Sequence, residues 1–187
     1  MTASFGEAFP GVLEAARLGA EWAWRALYGE LAPSLHRYAH ACRVTDPGST
    51  VGEVFLRAVT AIITFEGDER AFRAWLFRIA RNVILDEHRK TQRRRTDAVP
   101  TEVLVRLSPV GDVEEEALRS LSERRVRGIL DTLTPEQREV LVLRILGDLT
   151  VEEVALVVGK RPGAVKALQA RGLAAIRRAI RQGAVTL

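Results

Sequence analysis

Basic side chains dominate the C-terminal part of the chain. No aspartate or glutamate follows Glu153. The lysines and arginines beyond it are Lys160, Arg161, Lys166, Arg171, Arg177, Arg178 and Arg181. Repeated cations without anions are typical of a surface that binds the phosphates of nucleic acid. A solvated, arginine-rich helix face is the plain alternative.

The elements that must position these cations have a helix-turn-helix pattern. Thr150 and Glu153 have the spacing of a capping box, which opens a short helix. Gly159 is suited to end that helix, and Pro162 to begin a second one that runs to about Arg181. In such a unit the N-terminal residues of the second helix enter the major groove of duplex DNA. The pattern therefore predicts DNA binding.

A second group of residues, whose side chains could bind a metal ion, lies in the N-terminal third. His36 and His40 share a helix face, and Cys42 follows them. A zinc hydrolase needs a glutamate directly after the first histidine, but Arg37 stands there, and no further ligand is apparent. The sequence also lacks a glycine-rich phosphate loop and a Ser/His/Asp or Cys/His arrangement. We therefore predict no metal, no cofactor and no enzymatic activity.

Composition narrows the class of protein. The 187 residues include 28 Lys and Arg against 24 Asp and Glu, a net charge of +4, and 25 of the 28 are arginine. Aromatic residues make up 6%, so the core must rest on Leu, Val, Ile and Ala, which favours helices. The single cysteine excludes an internal disulfide. We find no secretory signal and no membrane-spanning run, and predict a cytoplasmic protein.

Helical periodicity predicts an all-α fold. One apolar stripe runs from Trp24 to Ala39, and Pro33 within it indicates either a bend or the start of a new helix. The segment 45–50 has the composition of a turn. A second stripe follows over residues 51–62, and a third helix begins after Asp68.

Periodicity stops at Thr91, and residues 93–113 are predicted to be a flexible linker containing Pro100 and Pro109. Helices resume near Val113, and Thr134 is the expected cap of the next one. The expected core positions of the C-terminal half are Val140, Leu141, Leu143, Ile145, Val165, Leu168, Leu173 and Ile176.

Two blocks of sequence resemble the extracytoplasmic-function (ECF) sigma factors of bacterial RNA polymerase. The first comprises Phe55-Leu-Arg-Ala58, then Phe72-Arg-Ala-Trp-Leu-Phe-Arg-Ile-Ala-Arg-Asn82 and Asp86. It is similar to sigma domain two, which melts promoters. The second comprises Leu133-Thr-Pro-Glu-Gln-Arg-Glu-Val-Leu141, Thr150-Val-Glu-Glu-Val-Ala155 and Pro162-Gly-Ala-Val-Lys166. It is similar to sigma domain four, which binds the minus-thirty-five element.

The resemblance implies two small helical domains joined by a flexible linker, the C-terminal one containing the helix-turn-helix. Domain two would span residues 12–92, the linker 93–113 and domain four 114–182. The chain would bind core RNA polymerase and direct promoter recognition, DNA melting and transcription initiation.

The resemblance also assigns residues to DNA. Contacts to the minus-ten element would come from Phe65, Arg73, Phe77, Arg78, Arg81, Asn82 and Arg89. Asn82 would read a flipped base with its amide, which both donates and accepts hydrogen bonds. Phe65 and Phe77 would stack on bases, although both also suit a core. Contacts to the minus-thirty-five element would come from Arg161, Lys166, Ala167, Ala170, Arg171, Arg177 and Arg178.

Partners follow from the same resemblance. The helix at 51–63 would dock on the clamp helices of the largest polymerase subunit through Glu53 and Arg57, and domain four on the polymerase flap. The usual acidic pair before that helix is replaced by Gly48-Ser49-Thr50, and Gly52 stands where Gln is common. An anti-sigma factor is the expected regulator, and no direct membrane insertion is expected.

Two alternatives stay open at this point. A stand-alone helix-turn-helix regulator would bind duplex DNA without polymerase, and would use residues 12–95 for sensing or dimerisation. A degenerate sigma-like module would instead sequester a partner, an alternative suggested by the altered clamp-facing segment. Complex formation with core polymerase distinguishes the first alternative from a sigma factor.

Overall fold

A computed structural model describes residues 5–97 and 128–182, with side chains to residue 93 in the first range. Seven α-helices lie wholly within these ranges. They are α1 (Phe9–Arg17), α2 (Glu21–Ala41), α3 (Pro47–Ala61), α4 (Glu69–Asp97), α5 (Pro135–Ile145), α6 (Val151–Val158) and α7 (Pro162–Arg181). Residues 128–131 are also helical, and no strand occurs in the described ranges. The all-α prediction is confirmed.

Local chemistry explains where the N-terminal helices begin and continue. Helix α2 runs unbroken through Pro33, which settles the open alternative in favour of one helix. Helix α3 starts at Pro47, because the Asp46 side chain accepts a hydrogen bond from the backbone N–H of Ser49 at 3.0 Å. The prediction of a turn over 45–50 is therefore wrong beyond Asp46: these residues form a helix cap and a first turn.

Helix α4 is the longest described element and crosses the whole N-terminal half. Asp68 caps it by accepting a hydrogen bond from Ala71 N–H at 2.8 Å. Its buried side chains include Phe72, Leu76 and Ala80. The helix continues to Asp97, so the linker prediction is wrong for residues 93–97. Residues 98–113 of the predicted linker, and the restart at Val113, lie outside the described residues.

The C-terminal half follows its sequence signals closely. Thr134 and Gln137 form a capping box at the start of α5, and Thr150 and Glu153 form the predicted one at α6. Gly159 ends α6 in the left-handed conformation, with φ +67°, where glycine carries no Cβ penalty.

Two expected core residues of this half are exposed instead. Ile145, the last residue of α5, is 67% exposed, and Leu173 of α7 is 36% exposed. The core face of α7 passes through Val165, Leu168 and Gly172, so Leu173 lies one residue off it. The predicted burial of Val140, Leu141, Leu143, Val165 and Leu168 is confirmed.

The two halves of the chain pack against each other. Helix α4 lies against α6, and α2 touches α5. Phe77 of α4 closely faces Gly147, in the turn that follows α5. Buried side chains of both halves join into one apolar cluster that extends from Phe9 to Leu168. No described helix has the length and apolar character that crossing a membrane requires.

Candidate nucleic-acid and polymerase interfaces

One face of α7 carries the residues predicted to contact the minus-thirty-five element. Val165, Leu168 and Gly172 face inward and are buried. The exposed residues are Lys166, Ala167, Ala170, Arg171, Arg177 and Arg178, together with Arg161 just before the helix. Helical spacing puts the first four on a common surface near the N-terminal end. The arrangement presents two cations around a small apolar patch.

Close packing sets the position of α7 on α5. A Cβ atom at Gly172 would lie 2.8 Å from the Leu141 side chain and 3.4 Å from Gln137 Cβ. In the turn before α7, Lys160 donates a hydrogen bond to Glu136 of α5 at 2.8 Å. This bond lowers the pKa of the Glu136 carboxyl. Helix α7 is therefore held against α5 both at the turn before it and at its middle.

Three of the residues predicted to contact the minus-ten element are exposed on α4. Arg78, Asn82 and Arg89 are open to solvent. Arg89 pairs with Asp86 at 3.2 Å, one turn earlier on the same helix. The spacing of 78 and 82 places these two side chains on neighbouring turns of one face. This face combines a cation with an amide that can read a base edge.

Three other residues predicted for the minus-ten element are buried, Arg73 and Phe65 within the N-terminal half and Phe77 where the two halves meet. Arg73 is 9% exposed and pairs with Glu30 of α2 at 3.5 Å. Phe65 is 6% exposed and packs edge-on against Phe72. Phe77 is 0% exposed and packs edge-on against Tyr38. In this conformation neither ring has a face on which a base could stack, and Arg73 has no surface for a phosphate.

Arg81 occupies an intermediate position between the two halves. Its guanidinium Nε donates to Glu139 of α5 at 2.8 Å, and the two side chains are 23% and 22% exposed. Tyr38 and Cys42 are close by. Burial, with the negative charge of Glu139 as a second cause, raises the pKa of the Cys42 thiol to about 12. Burial likewise raises the pKa of Tyr38.

The predicted polymerase-docking residues form an ordered polar edge on α3. Arg57 Nε donates to Glu53 at 2.7 Å, and Arg57 also reaches Asp86 of α4 at 3.5 Å. These bonds raise the pKa of the Arg57 guanidinium, which stays charged. Glu53 and Arg57 thus form an ion pair one turn apart on α3, and their role in docking on polymerase stays a prediction.

Sequence reasoning missed the apolar residues beside that polar edge. Leu56 and Val59 of α3 are exposed, as is Ile63 in the short 3-10 turn that follows the helix. Their signal was present, because they are apolar yet lie off the buried stripe of Val51, Val54, Phe55, Ala58 and Ile62. A helix that is apolar on both sides indicates a second packing partner.

The histidines and Cys42 do not gather into a larger ligand set. Among the residues that the structure describes, no three His, Cys, Asp or Glu side chains lie together in a way that could hold a metal ion. Cys42 is a free, half-buried thiol.

Comparison with known proteins agrees with the motifs. The Sigma-70 region 2 family model matches residues 27–94, and the Sigma-70, region 4 model matches residues 123–176. The ECF RNA polymerase sigma factor SigD of Mycobacterium tuberculosis is 34% identical over 175 residues, 90% of this chain and 82% of SigD. BldN of Streptomyces coelicolor, also an ECF RNA polymerase sigma factor, is 35% identical over 170 residues. That match takes in 89% of this chain and 64% of BldN, less than two thirds of its length.

Solved structures share the fold. CnrH, solved in complex with the cytosolic domain of CnrY, superposes with a TM-score of 0.70 at 27% identity, covering 94% of this chain and 99% of CnrH. The sigma factor RpoE of Bartonella quintana, solved with the anti-sigma factor NepR, gives a TM-score of 0.62 at 20% identity, covering 84% and 96%. On the two family models and the similarity to SigD, the chain belongs to the ECF RNA polymerase sigma factors.

Proposed function

We propose that this chain binds core RNA polymerase and directs promoter recognition, DNA melting and transcription initiation. The observation that carries the proposal is the outer face of α7, where the cations and small residues are exposed and the apolar residues are buried. A helix of this kind, following a capped helix and a glycine turn, fits the major groove. Membership of the ECF family supplies the promoter as the DNA target.

At the minus-thirty-five element, Lys166 and Arg171 are proposed to contact guanine edges or phosphates. Ala167 and Ala170 offer apolar contact, for example to a thymine methyl group. The more distant cations Arg161, Arg177 and Arg178 are proposed to grip phosphates and to set the register of the helix on the duplex. This division separates residues that read sequence from residues that position the domain.

At the minus-ten element, the exposed set on α4 supports a smaller site than the sequence predicts. Asn82 is proposed to read a base that leaves the stack, while Arg78 and Arg89 contact the backbone. Arg81 joins them once it is released from Glu139. Arg73 and Phe65 are proposed to serve the N-terminal core, and Phe77 the packing of the two halves, because their side chains are enclosed there.

Docking on polymerase is proposed to use the outer side of α3. Glu53 and Arg57 form its polar edge, and Leu56, Val59 and Ile63 supply apolar area. This combination of an apolar centre with charged flanks is what a helical partner surface, such as the clamp helices, requires. Domain four would contact the polymerase flap.

Regulation by an anti-sigma factor is proposed from family membership. The protein would act in the cytoplasm, where polymerase and promoters are found, and by binding rather than by catalysis. An anti-sigma factor would cover the α3 surface and part of α6 and α7, which are the surfaces proposed for polymerase and DNA.

Run-off transcription with purified core polymerase on a genomic promoter library tests the function. We expect discrete transcripts that depend on this chain, and a shared upstream motif among their templates. Tight duplex binding without polymerase, and no transcripts, would instead support the stand-alone regulator. Polymerase binding without transcripts would support the sequestering module.

The division of labour on α7 is tested by comparing Arg171→Ala with Arg177→Ala. Each removes one positive charge from the same helix. Arg177→Ala should weaken duplex binding equally for all sequences and reduce the salt slope by about 0.9. Arg171→Ala should relax preference at one or two base pairs, a loss of about 1–3 kcal/mol of discrimination. Uniform weakening in both variants would contradict the division.

A further inference from the structure

Among the residues that the structure describes, three ion pairs connect the N-terminal half of the chain to the C-terminal half. They are Arg43–Asp131, Arg70–Glu153 and Arg81–Glu139. Every arginine belongs to the N-terminal half and every carboxylate to the C-terminal half. One half thus offers carboxylates to cations of the other half at three separate places.

The geometry of two of these pairs is that of strong charge-assisted contacts. Arg70 donates through Nε and through a terminal nitrogen to the two oxygens of Glu153, each at 3.1 Å. Arg81 donates to Glu139 at 2.8 Å in a largely buried position. Charge-assisted guanidinium contacts are also the ones that arginine makes with phosphate. At Arg81, the one of these arginines that is predicted to contact the promoter, Glu139 thus occupies a donor that a phosphate oxygen would need.

We propose that Asp131, Glu139 and Glu153 form an autoinhibitory latch that holds the two halves closed, and that Glu139 competes with promoter DNA for Arg81 of domain two. The proposal rests on the proposed function, since it takes Arg81 to be a promoter contact. Asn82, the next residue on α4, remains exposed in the closed state. The latch therefore withholds the cation next to the base-reading amide until the halves separate.

The latch predicts an energetic competition. DNA that binds Arg81 must first break its contact with Glu139, so part of the binding free energy is spent on opening. Replacing the carboxylate by an amide of the same shape removes the charge and most of the pairing energy. Gln is suitable at position 153 in particular, because Gln137 already completes the capping box of α5 with an amide.

Closure is measured first, on the full chain without polymerase or DNA. Cys42 is the single cysteine of the chain, and it lies beside Glu139 and Tyr38. Its rate of alkylation by N-ethylmaleimide, an uncharged reagent, reports the fraction of open molecules. Asp131→Asn combined with Glu153→Gln should raise this rate by roughly fivefold. Glu139 is left intact here because its own charge acts on the thiol.

The matched control is Glu136→Gln combined with Glu152→Gln. It also removes two negative charges from the C-terminal half. Glu136, however, pairs with Lys160 inside that half, and Glu152 is an exposed residue of the same helix turn as Glu153. This variant should leave the labelling rate unchanged. Equal rates in the latch variant, the control variant and the natural chain would overturn the proposal.

Competition is measured second, with a fluorescein-labelled mixed-sequence DNA duplex at fixed ionic strength. Glu139→Gln should bind it roughly threefold to tenfold more tightly than Glu152→Gln, although both lose one negative charge. Adding Arg81→Ala should abolish that difference. Equal affinities of the two single variants would overturn the competition. Open molecules that bind DNA but direct no transcription would contradict the proposed function and leave the latch standing.

Discussion

Arg73 illustrates how an arginine that looks like a DNA contact can be structural. It lies in the motif that resembles sigma domain two, and its neighbours Arg78 and Arg81 face outward or toward the other half. Its own side chain points to Glu30 of α2 and is almost completely buried. A buried guanidinium is tolerated because a carboxylate pairs with it.

Arg73→Met should therefore destabilise the fold. The substitution leaves Glu30 without its partner in a mostly buried site, which costs about 3 kcal/mol. For a chain of this size, that lowers Tm by roughly 6–12 °C, measured by thermal denaturation. Adding Glu30→Leu should restore most of the loss, since no charge is then left unpaired. Arg78→Met is the control and should change Tm little; equal stability of both arginine variants would contradict the structural role.

Cys42 predicts a specific dependence of stability on alkaline pH. Burial raises the pKa of its thiol from 9.0 to about 12, so the unfolded chain loses this proton first. Ionisation of Cys42 therefore leaves the free energy of unfolding unchanged below pH 9. Between pH 9 and pH 12 it lowers that free energy by up to about 1.4 kcal/mol per pH unit. Cys42→Ala should remove this contribution in urea titrations. If the free energies of unfolding of the variant and the natural chain differ by the same amount throughout this pH range, the prediction is contradicted.

At the scale of single elements, the starts and ends of the C-terminal helices were predictable. Thr134, Thr150, Gly159 and Pro162 act within one turn of chain, so their roles are determined by local sequence. The start of α3 was not predicted, because Asp46 and the residues after it suit a turn and a helix cap equally well. Local sequence does not distinguish a turn from a helix cap when the choice depends on how the segment packs against the rest of the chain.

Other features depended on tertiary structure and lay beyond sequence reasoning. The extension of α4 beyond Thr91 carries charged side chains without an apolar stripe, so its periodicity gave no signal. The burial of Arg73 and Phe77 depends on which helices lie against α4. The pairing of Arg81 with Glu139 joins residues 58 positions apart, and no local pattern predicts such a contact.

The crossing of α7 over α5 gives a test at the scale of elements. Gly172→Ala places a methyl group 2.8 Å from the Leu141 side chain in a packed core, which costs about 1–3 kcal/mol. Gly163→Ala lies on the same helix with nothing within 4 Å of the added Cβ. Alanine gains up to about 1 kcal/mol of helix propensity at either position. Urea denaturation should therefore find Gly172→Ala less stable than Gly163→Ala by about 2 kcal/mol. A similar rise in the free energy of unfolding in both variants would contradict close packing at Gly172.

At the scale of the whole molecule, the packing of the two halves determines whether they stay associated after a protease cleaves the chain between them. The linker over residues 98–113 and the domain limits 12–92 and 114–182 stay predictions. A protease site inserted between residues 98 and 127 leaves both described ranges intact. The apolar cluster shared by the two halves, which includes Phe77 against Gly147, and the three ion pairs then hold the fragments together.

We expect the two fragments to co-elute in size-exclusion chromatography after cleavage under native conditions. Their shared apolar cluster and complementary charges should keep them associated at micromolar concentration. Denaturant should separate them, which verifies that cleavage is complete. Two separate native peaks would show that the halves do not hold each other without a covalent connection.

Glu153 has a genetic consequence that follows from its two contacts. One of its oxygens accepts the Thr150 N–H that starts α6, and the same carboxylate pairs with Arg70 of the other half. Most single-base changes in a glutamate codon would damage both contacts together. The change to a glutamine codon, which needs one base, keeps the helix start and gives up the charge. At this codon, a single base change can thus alter how firmly the two halves hold together while the helix-turn-helix stays intact. Selection for a more active or a less active regulator could use this change.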